Sequence, residues 1–184
     1  MNHHDMTRNM VLAALFAALT AIGAFLQIPT GTVPITLQFL FTALAGLLLG
    51  WKWGAISQLL YVGIGLLGLP VFTQGGGIGY VLQPSFGFLL GLIPAAAVIG
   101  ALTARRTGYL TVLAAVLVGD LILYAVGVPY MYLILHVYMQ SAKTFPALLA
   151  AMLVYVPGDT LKIVVVTALA PVLRRTLAKA VPSL

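Results

Sequence analysis

Residues 9–51 and 53–104 contain no charged side chain, so Lys52 alone interrupts a neutral tract that reaches from Arg8 to Arg105. Each half is far longer than the roughly 20 apolar residues that cross a bilayer. A soluble domain carries about 45–50% apolar and about 25% charged residues. Here 62% of residues are hydrophobic and 7% charged, which excludes both an ordinary water-soluble globule and a disordered chain. The expectation is an all-α membrane protein, one transmembrane unit over residues 1–184. At about 1.5 Å per helical residue that length allows six or seven spans joined by short loops.

Breaks set by Pro, Gly and clustered charge place the spans. They fall at about 8–28, stopped by Pro29-Thr30-Gly31; 35–50, ending at Trp51-Lys52-Trp53; and 54–69, ended by Pro70. The others fall at about 86–104, ended by Arg105-Arg106; 109–127, stopped by Pro129; and 145–173, ended by Arg174-Arg175. Residues 130–140 are apolar but short and aromatic, and read as an interfacial or re-entrant helix rather than a seventh span. The first apolar run has no small-residue cleavage site behind it, so it is expected to be a retained span rather than a signal peptide.

Six spans put both termini on one side. That side receives Arg8, Lys52, Arg105, Arg106, Arg174, Arg175 and Lys179, and the other receives only Lys143. The positive-inside rule then makes both termini cytoplasmic. Orientation also explains the net charge of +6, so no nucleic-acid partner is expected. The inner turns are tight, whereas the outer loops at 27–36, 68–85 and 127–144 are long, apolar and rich in Pro and Gly. Long loops of this kind are often lids or binding loops. They are expected to cap a ligand pocket at the outer face of the bundle.

Three charges fall within spans: Asp120, Asp159 and Lys162. Each costs about 2.5–3.5 kcal/mol on insertion scales and needs a reason to be there. Asp159 and Lys162 are three apart and share a helix face. They lie roughly 18–22 Å above Arg174, and Asp120 about 21 Å above Arg106, at 1.5 Å per residue. All three therefore share one depth in the outer half. A buried ion pair seldom stabilises a fold more than apolar residues do, which favours a functional role for Asp159 and Lys162 over mutual neutralisation. Asp120 alone fits a structural role equally well. Pro157-Gly158 ahead of Asp159 marks either a kink or a break that bares backbone groups to a cavity. Gln38, Gln74, Gln83, Tyr80, Tyr124 and Tyr155 add polar groups near the same side. The candidate ligand-binding set is Asp159, Lys162, Gln38, Tyr80, Gln83, Tyr155 and Asp120.

In the first span Ala13, Ala17 and Ala21 share one face, and Ala14 and Ala18 the next. Small residues at every fourth position let another helix approach closely in lipid, within the chain or from a separate subunit. No phosphate-binding loop is present, and Gly75-Gly76-Gly77-Ile78-Gly79 lacks the strand–helix setting such a loop needs. There is no cysteine, and His136 is the only histidine outside the His3-His4 tail. No catalytic set, metal site or cofactor is therefore expected, and binding or transport remains.

The string Ile28-Pro29 … Val33-Pro34-Ile35-Thr36-Leu37-Gln38 resembles that of the BioY family, the biotin-specific S components of energy-coupling factor transporters. So do Gly68-Leu69-Pro70-Val71-Phe72 with the glycine cluster behind it, and Pro157-Gly158-Asp159 … Lys162. The similarity covers roughly residues 8–175. It implies a six-helix bundle that captures biotin from outside through Asp159 and Lys162. It also implies that the small-residue face of the first helix, including Ala13, Ala14, Ala17, Ala18 and Ala21, meets a transmembrane coupling subunit, with two ATPase subunits completing the complex. One departure stands out. Where the family usually has Pro-Thr-Gly-Gly-Tyr-Leu, this chain has Pro84-Ser85-Phe86-Gly87-Phe88-Leu89. An S component for another vitamin, such as thiamin or riboflavin, is the rival expectation. Cationic thiamin would favour an acidic, aromatic site without a central lysine.

Overall fold

The computed structural model describes residues 3–30, 33–105 and 108–180. His3, His4, Arg106 and Lys179, read above as tail or inner-side groups, lie outside the side chains described. Helix α1 (His3–Phe25) leads into a two-stranded antiparallel hairpin, β1 (Gln27–Ile28) with β2 (Ile35–Thr36), in which Gln27 faces Thr36. The stretch Gln38–Leu66 is helical on either side of a break at Gly50, where φ is 77° and ψ is 178°. In a straight helix Thr42 and Gln58 would stand about 24 Å apart, and Gln38 and Tyr61 about 34 Å. Instead Thr42 donates to Gln58 at 2.9 Å and Gln38 to Tyr61 at 2.8 Å. The chain therefore doubles back at Gly50, giving α2 (38–49) and α3 (51–66). That backbone conformation is open essentially only to glycine. The two arms cross where Gly54 meets Gly46, and a Cβ on Gly54 would sit 2.8 Å from the Gly46 Cα.

The chain continues through a 3₁₀ turn (Ile78–Leu82) into α4 (Phe86–Thr103) and α5 (Tyr109–Leu133). A short α6 (Phe145–Ala151) and a 3₁₀ turn (Met152–Val154) then precede α7 (Val156–Ala180). Counting α2 and α3 separately, α1 to α5 and α7 make the expected six-helix bundle. Leu110, Leu121, Leu161 and Val172 point outward from it, as a lipid surrounding requires. Tyr61, Ile99, Val116 and Met131 fill its interior. Helices adjacent in sequence pack side by side, and α7 lies on α5 and on the α2–α3 hairpin. First and last helices hardly touch, which leaves an apolar groove between the Phe25 end of α1 and the start of α7, lined by Phe25, Leu40, Leu161 and Val165.

Three boundaries differ from the sequence reading. The second turn is Gly50 itself, and Trp51-Lys52-Trp53 already belong to α3. The fifth span does not stop at Pro129, and residues 130–140 do not form a separate helix, because α5 runs through Pro129 into a π-helical turn (Ile134–Tyr138). Proline removes one backbone bond. The helix persists because Val128 and Met131 on either side are buried with Leu135, Leu148 and Met152, and Tyr130 donates to the Val81 carbonyl at 2.7 Å. Finally, 145–173 is not one span but α6, a turn and α7. The discontinuity falls just before Pro157, which sits in the first turn of α7, where a missing N–H costs nothing. At the far end of α7, the Arg174 guanidinium donates to the carbonyls of Leu47 at 2.7 Å and Thr103 at 3.3 Å. A cation at the carbonyl ends of α2 and α4 complements both helix dipoles and ties the three ends together.

Candidate ligand-binding site

The break before α7 places Asp159 in the first turn of that helix, with its N–H on the Tyr155 carbonyl at 2.9 Å. A carboxylate is favoured at a helix N-terminus. Lys162, one turn on, meets Asp159 Oδ1 at 2.5 Å, and both side chains are buried. The Tyr124 hydroxyl of α5 donates to Asp159 Oδ2. Lys162 Nζ also donates to the Thr36 carbonyl of β2 at 3.2 Å. One hydrogen of the ammonium and part of the lone-pair capacity of the carboxylate are left for a guest.

These groups form the polar pole of a cavity whose other walls are Phe39, Phe88, Leu89, Leu92 and Leu123. A second polar set lines it from the loop between α3 and α4, where Thr73 and Tyr80 share a hydrogen bond of 2.8 Å and Ser85 stands 3.5 Å from the Tyr80 hydroxyl. Tyr155 and Val33 also line the cavity, with the Tyr155 hydroxyl donating to the Val33 carbonyl. Lys162, Ile35 and Thr36 border both this cavity and the lipid-side groove, so β2 and one lysine form the partition between them.

Of the residues singled out from sequence, Asp159, Lys162, Gln38, Tyr80 and Tyr155 line the cavity. Gln38 reaches it already engaged. Its Oε1 accepts from Thr36 Oγ1 at 2.8 Å and its Nε2 donates to the Tyr61 hydroxyl, which donates to the Val71 carbonyl at 3.1 Å. It therefore fixes β2 and the loop after α3 relative to each other. Gln83 and Asp120 are not part of the lining. Gln83 follows the 3₁₀ turn in extended backbone. Asp120 stands one turn from Tyr124 on α5, and its Oδ1 has no hydrogen-bond partner among the described residues.

The alanines of α1 divide. Ala13 and Ala17 are 1% and 4% exposed and pack inside this chain, so they are corrected from a partner face to an internal one. Ala14 and Ala18 are exposed, and Ala21 is half-buried. Thr36, which contributes a backbone carbonyl, and Thr73 and Ser85 also line the cavity and bear no mark in the sequence that sets them apart. Tyr124 does bear one, since its spacing of four from Asp120 puts the two on the same face of α5. The departure at Phe86 and Phe88 has a structural role. Phe88 packs edge-on against Tyr124 at 5.9 Å, and Phe86 sits between Tyr80 and Tyr130 at 6.4 and 5.8 Å.

An all-helical membrane bundle whose loops close over a small cavity with one ionic pole defines a membrane-embedded solute-binding protein. The chain belongs to the BioY family, which matches residues 1–179. It is 54% identical over 141 residues to a probable biotin transporter BioY of Lysinibacillus sphaericus, covering 76% of this chain and 72% of that one. It is 40% identical to the biotin transporter BioY of Rhodobacter capsulatus, with 97% of each chain covered. It is 35% identical to that of Thermotoga maritima, covering 89% of this chain and 94% of that one. Among solved structures, the S-component for biotin from an ECF-type ABC transporter superposes with a TM-score of 0.83 at 29% identity, covering 95% of both chains.

Proposed function

We propose that this chain captures biotin at its outer face as the substrate-specificity subunit of an ATP-driven importer, a single unit in a bacterial or archaeal cell membrane with both termini cytoplasmic. The observation that carries this reading is the joined Tyr124–Asp159–Lys162–Thr36 pole in an apolar cavity. A ureido group presents two N–H donors beside one carbonyl acceptor. Asp159 offers an anionic acceptor to a ureido N–H, and Lys162, one turn away, offers a donor to the ureido oxygen. Charge-assisted bonds of this kind contribute about 1.5–3 kcal/mol. The walls of Phe39, Phe88 and Leu92 suit the bicyclic ring and aliphatic tail. A lysine at the pole disfavours cationic thiamin.

A transmembrane coupling subunit and two ATPase subunits complete the proposed complex. The exposed Ala14–Ala18 face of α1 offers the close approach such a subunit needs. Titration calorimetry of the purified, detergent-solubilised chain tests the reading. Biotin is expected to bind one to one, with thiamin and riboflavin silent. Saturable binding of either of those in place of biotin overturns it.

A further inference from the structure

A second cavity opens on the outer side of the molecule, lined by Thr30, Lys143, Ala147, Ala151, Met152 and Tyr155. Met152 and Tyr155 also line the ligand pocket, so the two cavities lie on either side of these two side chains. The Tyr155 hydroxyl is held by Thr30 at 2.8 Å and by the Val33 carbonyl, which pins this divider to the first outer loop. Of the nine basic residues, Lys143 is the one that the six-span topology assigns to the outer side. It is exposed on the segment between α5 and α6. The inner pole is poorly suited to an acidic ligand group. Two of the three Lys162 donors are already taken by Asp159 and the Thr36 carbonyl, and the Asp159 carboxylate lies 2.5 Å from that ammonium.

We propose that the outer cavity is the vestibule of the ligand pocket and that Lys143 is its carboxylate-reading cation. The inference rests on the biotin reading above. With the ureido ring at the inner pole, the valerate chain points past Met152 and Tyr155 and its carboxylate faces Lys143. Lys143 thereby favours the anionic vitamin over neutral derivatives of its acid end.

The test compares biotin with biotin methyl ester, which keeps the ring and lacks the charge, on the full chain in detergent. Lys143→Gln is expected to weaken biotin about two- to five-fold at low salt, the scale of a solvent-exposed ion pair. Lys143→Glu weakens it further, and Lys143→Arg restores it. None of the three alters ester binding, and the difference fades at high salt as exposed charges are screened. Equal losses for both ligands, or none for either, overturn the vestibule. Failure of the unsubstituted chain to bind biotin at all overturns the biotin reading, and this inference with it.

Discussion

Asp159 and Lys162 engage each other and still keep bonding capacity facing the cavity, which makes single and double substitutions there behave differently. Asp159→Asn keeps the shape but loses the charge, and is expected to weaken biotin by about 1.5–3 kcal/mol, roughly one to two decades. Lys162→Ala costs at least as much, because it strands Asp159 without its cation in a dry site. The double variant costs less than the sum, since contacting residues couple. Calorimetry on protein whose folding is checked by thermal unfolding measures this. Unchanged affinity in both folded single variants leaves the pair a purely structural one. These two residues were legible from sequence because charge is expensive in an apolar span. Gln38, Tyr80 and Tyr155 were legible as polar groups near the outer side. The Thr36 contribution was not, because a backbone carbonyl carries no residue identity. Gln83 lies just past the end of a five-residue 3₁₀ turn and outside the cavity lining, and spacing alone does not reveal where that turn ends.

At the scale of helices, the small residues determine which partners can come close. Gly50→Ala forces a side chain into backbone conformation reserved for glycine and is expected to cost about 1–3 kcal/mol. Biotin affinity should be untouched, because the turn lies at the end of the bundle opposite the site. Thermal unfolding with and without biotin separates the two effects. On α1 the faces differ in role. Ala13→Leu or Ala17→Leu overpacks the bundle by about 1–3 kcal/mol. Ala14→Trp or Ala18→Trp leaves binding by the solitary chain intact and abolishes energised uptake, because the ring blocks close approach by another helix. Parallel binding and whole-cell uptake assays decide this, and binding that falls as far as uptake assigns that face to the chain's own packing. Periodicity of four revealed both faces but not which one the bundle covers. Proline was equally ambiguous: Pro129 lies inside a continuing helix while Pro157 opens one, and only the burial of the neighbouring residues separates the two cases.

Across the whole molecule, six spans with Arg8, Lys52, Arg105 and Arg174 at one end give an orientation that can be checked directly. A cysteine at Ile78, exposed in the outer loop, should react with an impermeant thiol reagent in intact cells. One at Trp51, the first residue of α3 beside the Gly50 turn, should react only after permeabilisation, and the reverse pattern inverts the topology. The charge asymmetry made the number of spans readable from sequence. The pocket was not readable in the same way, because it joins segments far apart in the chain. Lys162 bonds to Thr36 across 126 positions and Tyr155 to Thr30 across 125. A ribosome delivers the N-terminal segment first, so β1 and β2 are made well before the residues of α7 that they meet. Asp159 and Lys162 then arrive together, one turn apart on α7. Every nascent chain short of α7 lacks Asp159 and Lys162, and with them the ionic pole of the cavity. A guest that needs that pole would therefore stabilise only molecules whose synthesis is complete.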